Sequence, residues 1–142
     1  MDGRVVLLWV LTLFFWGSSP LLEKVALKAV SPLLALAVRT GVAALILVLV
    51  ALLTGEVREV QELSLRNVLV LGASGLLAGV LGMFTYFSLL KTGAASKIVP
   101  LTAAYPLVTA FMALVFLKED LSWERLLGIL LTVTGLIILQ KS

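Results

Sequence analysis

The sequence predicts an all-α membrane protein, a bundle of five transmembrane helices. Of its 142 residues, 61% are hydrophobic and only 13% are charged, and the mean hydropathy is +1.17. A soluble domain of about 150 residues buries only about 70% of its unfolded surface, so it could not cover this much apolar surface. The second observation is that charge-poor windows long enough to cross a bilayer recur five times along the chain.

The residue types that are missing exclude several function classes. The sequence contains no Cys and no His, which removes zinc sites and the Ser-His and Cys-His pairs used for nucleophilic catalysis. It has no Gly-Lys-Ser/Thr phosphate loop, so ATP-driven transport by this chain is not expected. We therefore expect no enzyme activity, no metal and no cofactor. The basic residues form no patch with aromatic residues, so we expect no nucleic-acid partner.

The uncharged window Val5–Leu22 predicts span 1 over residues 5–29, with Glu23 and Lys24 in its last turns. Pro20 is expected to kink this helix, because proline removes a backbone hydrogen bond and leaves the carbonyl of Trp16 unpaired. An alternative is a secretory signal, since Arg4 and an apolar run precede small residues at 17–19. The apolar run does not stop there, which favours a span.

Span 2 is predicted over residues 32–53, where Pro32 after Ser31 suits a first helical turn. Arg39 is its single charge. If spans 1 and 2 form a hairpin, Glu23 and Arg39 lie at a similar depth and are expected to pair, with Lys24 nearby. Two interpretations stay open: a structural Glu23–Lys24 pair with a snorkelling Arg39, or an anion contact at Arg39 beside a proton-coupling Glu23.

Spans 3 and 4 are predicted over residues 67–90 and 98–117. In span 3, glycines at 72, 75, 79 and 82 share one helical face with Tyr86, a pattern typical of close helix packing. In span 4, Pro100 and Pro106 are expected to deform the helix. Tyr105 between them is expected to be buried, with a hydroxyl that needs a structural partner or a substrate.

Span 5 is predicted over residues 123–140, anchored by Trp123 at the headgroups. Gly128, Thr132 and Gly135 form a small face that suits helix–helix association. Of the connections, the polar stretch 54–66 is the candidate for a short surface helix. Asp120, Ser122 and the following Arg125 mark a helix N-terminus.

The Lys and Arg residues are balanced across the membrane. Five spans place five on the N-terminal side and five on the other, with Arg39 counted for neither. An excess of positive charge normally orients a membrane protein, so this balance predicts insertion in both directions and antiparallel pairing. The alternative is a weakly biased protein of fixed orientation. The two sets are Arg4, Arg58, Arg66, Lys118 and Arg125, against Lys24, Lys28, Lys91, Lys97 and Lys141.

A known family shares the order of these motifs. They are Trp16-Gly17-Ser18, Lys24-x-x-Leu27, Ser31-Pro32 with Arg39, Gly82-x-x-x-Tyr86, the run Gly93 to Leu101, Tyr105-Pro106, the run Phe116 to Leu121, Trp123-x-x-x-x-Gly128 and Gly135. Together they resemble the EamA-type domain of the drug/metabolite transporter superfamily over nearly the whole chain. Such domains more often carry apolar residues at positions 20 and 23, so the resemblance does not support Glu23 as a coupling residue.

The resemblance implies a proton- or exchange-driven carrier of small metabolites or drugs. Most members carry two such domains in inverted orientation, so residues 1–142 are expected to form one domain that works as an antiparallel homodimer in the inner membrane. We expect Trp16, Tyr86 and Tyr105 to line a central cavity, with Arg39 and Glu23 supplying charge. Bending or close packing is expected at Pro20, Pro100, Pro106, Gly75, Gly79, Gly82, Gly128 and Gly135. The competing functions are a non-transporting subunit with a non-identical partner and a passive channel.

Overall fold

The computed structural model describes residues 2–118 and 122–141, and in these residues every regular element is helical. It contains five helical segments long and apolar enough to cross a membrane, which confirms the predicted fold class. Each boundary lies within a few residues of its prediction. In chain order, spans 1 to 5 are Gly3–Ala26, Pro32–Thr54, Leu65–Thr92, Ala95–Leu117 and Trp123–Lys141. The chain divides into two compact units, residues 1–92 and 93–142.

Span 1 is one continuous helix that begins after an N-cap at Asp2, whose carboxylate accepts a hydrogen bond from the Arg4 amide. The helix continues through Pro20, which is buried. It ends at Ala26, earlier than predicted. The amides of Lys28 and Ala29 bond carbonyls three residues back, and this tighter turn closes the helix.

Span 2 begins as the sequence predicts. The Ser31 hydroxyl accepts a hydrogen bond from the Leu34 amide at 3.3 Å, and Pro32 occupies the first turn. The helix ends at Gly55, whose φ of +80° lies in the left-handed region that only glycine adopts without strain. The surface helix predicted in the following polar stretch is present as a 3₁₀-helix, Glu56–Glu62.

Span 3 is not a uniform α-helix. It is α-helical over Leu65–Ser74 and Met83–Thr92, with a π-helical segment, Gly75–Gly82, between them. A π-helix bonds residues five apart and therefore has a longer turn than an α-helix. The single glycine face predicted from α-helical spacing is wrong over this segment.

Span 4 is broken, as its two prolines predict. One helix, Ala95–Thr102, contains Pro100, and the next, Tyr105–Met112, has Pro106 in its first turn. A short π-helical segment, Ala113–Leu117, completes the span. Span 5 begins after Ser122, whose hydroxyl accepts a hydrogen bond from the Arg125 amide at 3.3 Å, so that N-terminus is confirmed. Asp120, the other half of the predicted signal, lies outside the described residues.

The core of the first unit lies at one end of its three spans. Its buried hydrophobic side chains are Leu27, Leu36, Phe87 and Leu90. They come from the residue that caps the end of span 1, the start of span 2 and the end of span 3. The apolar side chains along the rest of these spans are mostly exposed, as expected of surfaces that face lipid or another chain.

Two lysines hold the same end together. Lys24 Nζ donates to the carbonyl oxygens of Leu90, at 2.5 Å, and Lys91, at 3.3 Å. Lys91 Nζ donates to the carbonyl of Val30 at 2.9 Å. A cation at a helix C-terminus satisfies free carbonyls and complements the helix dipole. Lys24 therefore binds the end of span 3, Lys91 binds the turn that follows span 1, and the two contacts tie this end of the unit together.

Replacing Phe87 by alanine is expected to destabilise the protein strongly. Removing a buried Phe side chain typically costs about 3–5 kcal/mol, because transfer energy is lost and a cavity remains. Phe84→Ala is the matched control on the same helix, since Phe84 is 41% exposed. The measurement is unfolding by SDS titration in mixed micelles. Equal midpoint shifts for the two variants would contradict the assignment of the core.

Candidate functional site

An ion pair between spans 1 and 2 is the main polar feature of the first unit. Arg39 Nε lies 3.4 Å from Glu23 Oε1, so the pairing predicted from their depth is present. The separation exceeds the roughly 2.7–2.9 Å of a charge-assisted hydrogen bond. The Glu23 side chain is only 9% exposed, whereas that of Arg39 is 47% exposed. The carboxylate is therefore covered by protein, and part of the guanidinium stays open.

Glu23 is held by its own helix as well. The Ser19 hydroxyl, one turn earlier, donates to Glu23 Oε1 at 2.8 Å. One carboxylate oxygen thus receives both the serine hydrogen bond and the approach of Arg39. A hydroxyl both donates and accepts, so Ser19 can bond this carboxyl group whether or not it carries a proton.

The ion pair forms part of the wall of an open cavity of about 460 Å³ within the first unit, and some of its lining side chains, such as Leu22, are largely exposed. Apart from the pair and Ser19, its walls are apolar and come from spans 1, 2 and 3 and from the turn between spans 1 and 2. Its apolar lining residues are Leu22, Ala26, Val30, Leu34, Ala35, Val38 and Phe87. Two residues of the buried core follow cavity-lining residues directly in the sequence: Leu27 follows Ala26, and Leu36 follows Ala35. The arrangement suits a ligand with one charged group and an apolar body.

The aromatic residues predicted to join this site are not all brought to it. Tyr86 is half-buried, its ring lies 5.9 Å from that of Phe87, and it is not among the residues that line the cavity. Trp16 is 70% exposed and does not line the cavity. Tyr105 is 59% exposed, so its predicted burial is wrong within this chain, because the break in span 4 leaves it on an open surface.

Two residues of this site were not predicted from the sequence. Ser19 was assigned only to a small-residue run, although its spacing of one helical turn from Glu23 was a usable signal. The burial of Phe87, next to Tyr86, was not predicted. Phe87 is buried because span 3 packs on spans 1 and 2. No pattern in the sequence distinguishes Phe87 from its exposed neighbours.

The second unit has a larger groove of about 930 Å³ between spans 4 and 5. Tyr105, Pro106, Arg125 and Gly128 line it, together with Thr109 and Thr132. Both threonine hydroxyls bond carbonyls of their own helix, at 3.4 Å and 2.8 Å. Their polar groups are thus partly satisfied before any ligand arrives, and the groove offers mainly apolar contact.

The glycines predicted to pack closely have open space around them. A Cβ atom added at Gly75, Gly79, Gly128 or Gly135 would meet no atom within 4 Å apart from its chain neighbours and the nearby backbone of its own helix. At Gly82 it would lie 3.1 Å from the carbonyl oxygen of Leu77, inside the π-helical segment. These glycines therefore do not pack closely against other parts of the described chain. Their close packing against another chain stays a prediction.

Comparisons with known proteins agree with the sequence motifs. The model of the EamA-like transporter family matches residues 3–140. An uncharacterized protein of Methanocaldococcus jannaschii is 28% identical over 142 residues, which cover 100% of this chain and 99% of that protein. An uncharacterized transporter encoded in the cobO 3′ region of Sinorhizobium sp is 27% identical over 130 residues, 92% of each chain. No solved structure matches this chain.

Proposed function

Because the chain belongs to the EamA-like transporter family, we propose that it moves a small molecule by alternating access as an antiparallel homodimer. Membership in this family makes the protein a multi-pass membrane transporter of the drug/metabolite type and not an enzyme. The observation that carries the proposal is the cavity beside Glu23 and Arg39, which places an ion pair among apolar walls. Ionisable groups in a membrane span are expensive and commonly mark a solute pathway.

In an alternating-access cycle, the first unit would close the cavity toward one side of the membrane. The buried core and the hydrogen bonds of Lys24 and Lys91 hold spans 1, 2 and 3 together beside the cavity. Access from that end requires these contacts to separate, while the helices stay intact. Pro20 in span 1 lacks an amide proton and provides a place where the helix can bend.

Two observations support pairing with a second, inverted copy. The Lys and Arg count gives no preferred orientation. Few hydrophobic side chains are buried among the described residues, and the glycines of spans 3 and 5 have room for a close neighbour. An inverted pair of five-span units would reproduce the internal symmetry that many secondary transporters have. The proposed location is the inner cell membrane.

The proposed solute contacts are Glu23, Arg39 and Tyr86. Trp16 and Tyr105 are proposed as further solute contacts, because their exposed aromatic side chains can reach solute in the assembled transporter. Residues 1–142 act in this proposal as one transport domain, with two copies completing the transporter.

Labelling of single cysteines tests the orientation, since the chain has no cysteine of its own. Glu59→Cys and Ala94→Cys place exposed reporters in connections that five spans put on opposite sides. An impermeant thiol reagent added to intact cells should label about half of the molecules at each position, relative to permeabilised cells. Full labelling at one position and none at the other would overturn dual topology and favour a partner of fixed orientation.

Counterflow in proteoliposomes tests transport itself. Purified protein is given a panel of labelled amino acids, monocarboxylates and aromatic cations. A transporter shows saturation and counterflow, because one site is exposed alternately to the two sides. Flux that rises linearly without counterflow indicates a channel, and no flux with any solute supports the non-transporting subunit.

A further inference from the structure

The geometry points to a competition for Arg39 between Glu23 and a carboxylate on the transported molecule. We infer that the cavity takes an apolar monocarboxylate, and that one proton is bound by Glu23 each time the carboxylate enters. This inference rests on the proposed function, since it assigns the substrate class and the coupling of the same cavity.

Arg39 has donor capacity beyond its contact with Glu23. A guanidinium carries five N–H donors in a planar fork that matches a carboxylate in two parallel hydrogen bonds. The closest approach to Glu23 is made through Nε at 3.4 Å, and the side chain is 47% exposed. The pair is therefore loose, and it leaves part of the fork directed away from Glu23. A carboxylate that binds the fork in short hydrogen bonds offers Arg39 a better partner than it has now.

Glu23 cannot remain an unpaired anion once Arg39 turns to the substrate. It is 9% exposed, and a buried charge that loses its partner is costly. Uptake of one proton from water turns the carboxylate into a carboxylic acid and removes that cost. Ser19 already bonds Oε1 at 2.8 Å and can bond the neutral acid as well, as donor or acceptor.

The charge balance selects a monoanion. Before binding, Arg39 and Glu23 together are neutral. After binding, Arg39 and the substrate carboxylate are again neutral, and Glu23 carries its proton. A phosphate dianion would leave an uncompensated negative charge in an apolar wall, which is unfavourable.

The other ionisable groups nearby do not change this balance. On span 1, Lys24 donates to two carbonyls at the end of span 3. On span 3, Lys91 donates to the Val30 carbonyl, and Tyr86 carries no charge near neutral pH. On span 2, Arg39 is the only ionisable residue and stays protonated at all relevant pH values. Glu23 is therefore the group whose protonation can follow the substrate.

The apolar walls of the cavity indicate the chemistry of the ligand beyond its carboxylate. Its other walls are Leu, Val, Ala and Phe side chains around about 460 Å³. A phenyl or indole group on a short carboxylate chain fits this space and buries apolar surface against the exposed side chains of Leu22, Leu34 and Val38. A second charge on the ligand would have no partner among these side chains.

Calorimetry on the purified, unmodified protein tests the competition directly. The probes are benzoate, 3-phenylpropionate and indole-3-propionate, each paired with its neutral amide. We expect binding of acids over amides, with affinity falling about tenfold per pH unit between pH 7 and 9, the slope for one linked proton. Titration in buffers of different ionisation enthalpy should show one proton taken up per molecule bound.

Variants separate the roles of the two residues. Glu23→Gln should bind the acids at least tenfold more tightly at pH 8, with no pH slope and no proton uptake. Arg39→Gln should lose the preference for acid over amide. Glu59→Gln in the exposed 3₁₀-helix is the matched control and should behave as the unmodified protein. The pH slope and proton count come from the unmodified protein, so the test does not depend on a variant folding.

Three results would overturn the inference. The first is that no acid of the panel binds, which removes the substrate class. The second is acid binding by the unmodified protein without proton uptake. The third is that phenylalanine binds and 3-phenylpropionate does not, which would mean that a zwitterion enters between the two charges. Binding is measured without flux, so absent counterflow with intact competition would overturn only the transporter proposal.

Discussion

Cells that produce only the double variant Glu56→Lys/Glu59→Lys are expected to lose transport completely. The two lysines raise the positive count on the N-terminal side from five to seven, against five on the other. Such an excess selects one orientation, with the richer side in the cytoplasm. If the transporter is an antiparallel pair, copies that all insert the same way cannot form it. Cysteine labelling should show a single orientation, and counterflow should fall to background.

The complementary variant makes this result specific. Ala94→Lys/Gln140→Lys adds two lysines to the opposite side and should also be inactive alone. Production of both variants together should restore counterflow, because each supplies the orientation that the other lacks. Glu56→Gln/Glu59→Gln removes the same acids without adding positive charge and should keep both orientations. Full transport by a variant locked in one orientation would rule out antiparallel pairing.

Arg39→Ala is expected to reduce counterflow of the transported solute by about 100-fold or more. Arg39→Ala removes the two hydrogen bonds of the guanidinium fork to a solute carboxylate; a hydrogen bond to a charged group contributes about 1.5–3 kcal/mol, and each 1.4 kcal/mol is a factor of about ten. Arg39→Lys keeps the charge and loses the planar fork, so it should recover only part of the activity. The matched control is Arg58→Ala in the exposed 3₁₀-helix, which should transport normally.

A double variant separates this functional loss from misfolding. In Arg39→Ala, the covered Glu23 carboxylate has lost its counter-ion, and SDS titration should show lower stability. Adding Glu23→Gln removes the unpaired charge and should recover stability without recovering counterflow. Cross-linking should show that the dimer persists. Normal counterflow by Arg39→Ala would exclude Arg39 from the site.

Several parts of the fold follow from local chemistry, and for this reason they were predictable. Span boundaries follow from the distribution of charges, because a charged residue inside a bilayer is costly. The N-caps at Ser31 and Ser122 follow from the residues beside them. The break in span 4 follows from its prolines. Glu23 and Arg39 come together because a short turn joins their helices and places the two side chains at a similar depth.

Other features depend on interactions that the sequence pattern does not encode. The π-helical segment of span 3 replaces the straight glycine face, and Tyr105 lies exposed beside the helix break. Burial of Phe87 but not Phe84 depends on how span 3 packs, because almost every position in these helices is apolar and periodicity is lost.

By itself, the sequence determined that this protein is a five-span membrane protein of a transporter family, because composition and charge decide what a bilayer accepts. Only the tertiary structure decided which apolar residues form the core and which carbonyls Lys24 and Lys91 bind. It also decided that Glu23 is covered while Arg39 stays half open. Burial and direction arise from packing between distant segments, and in a chain this uniformly apolar no local pattern specifies them.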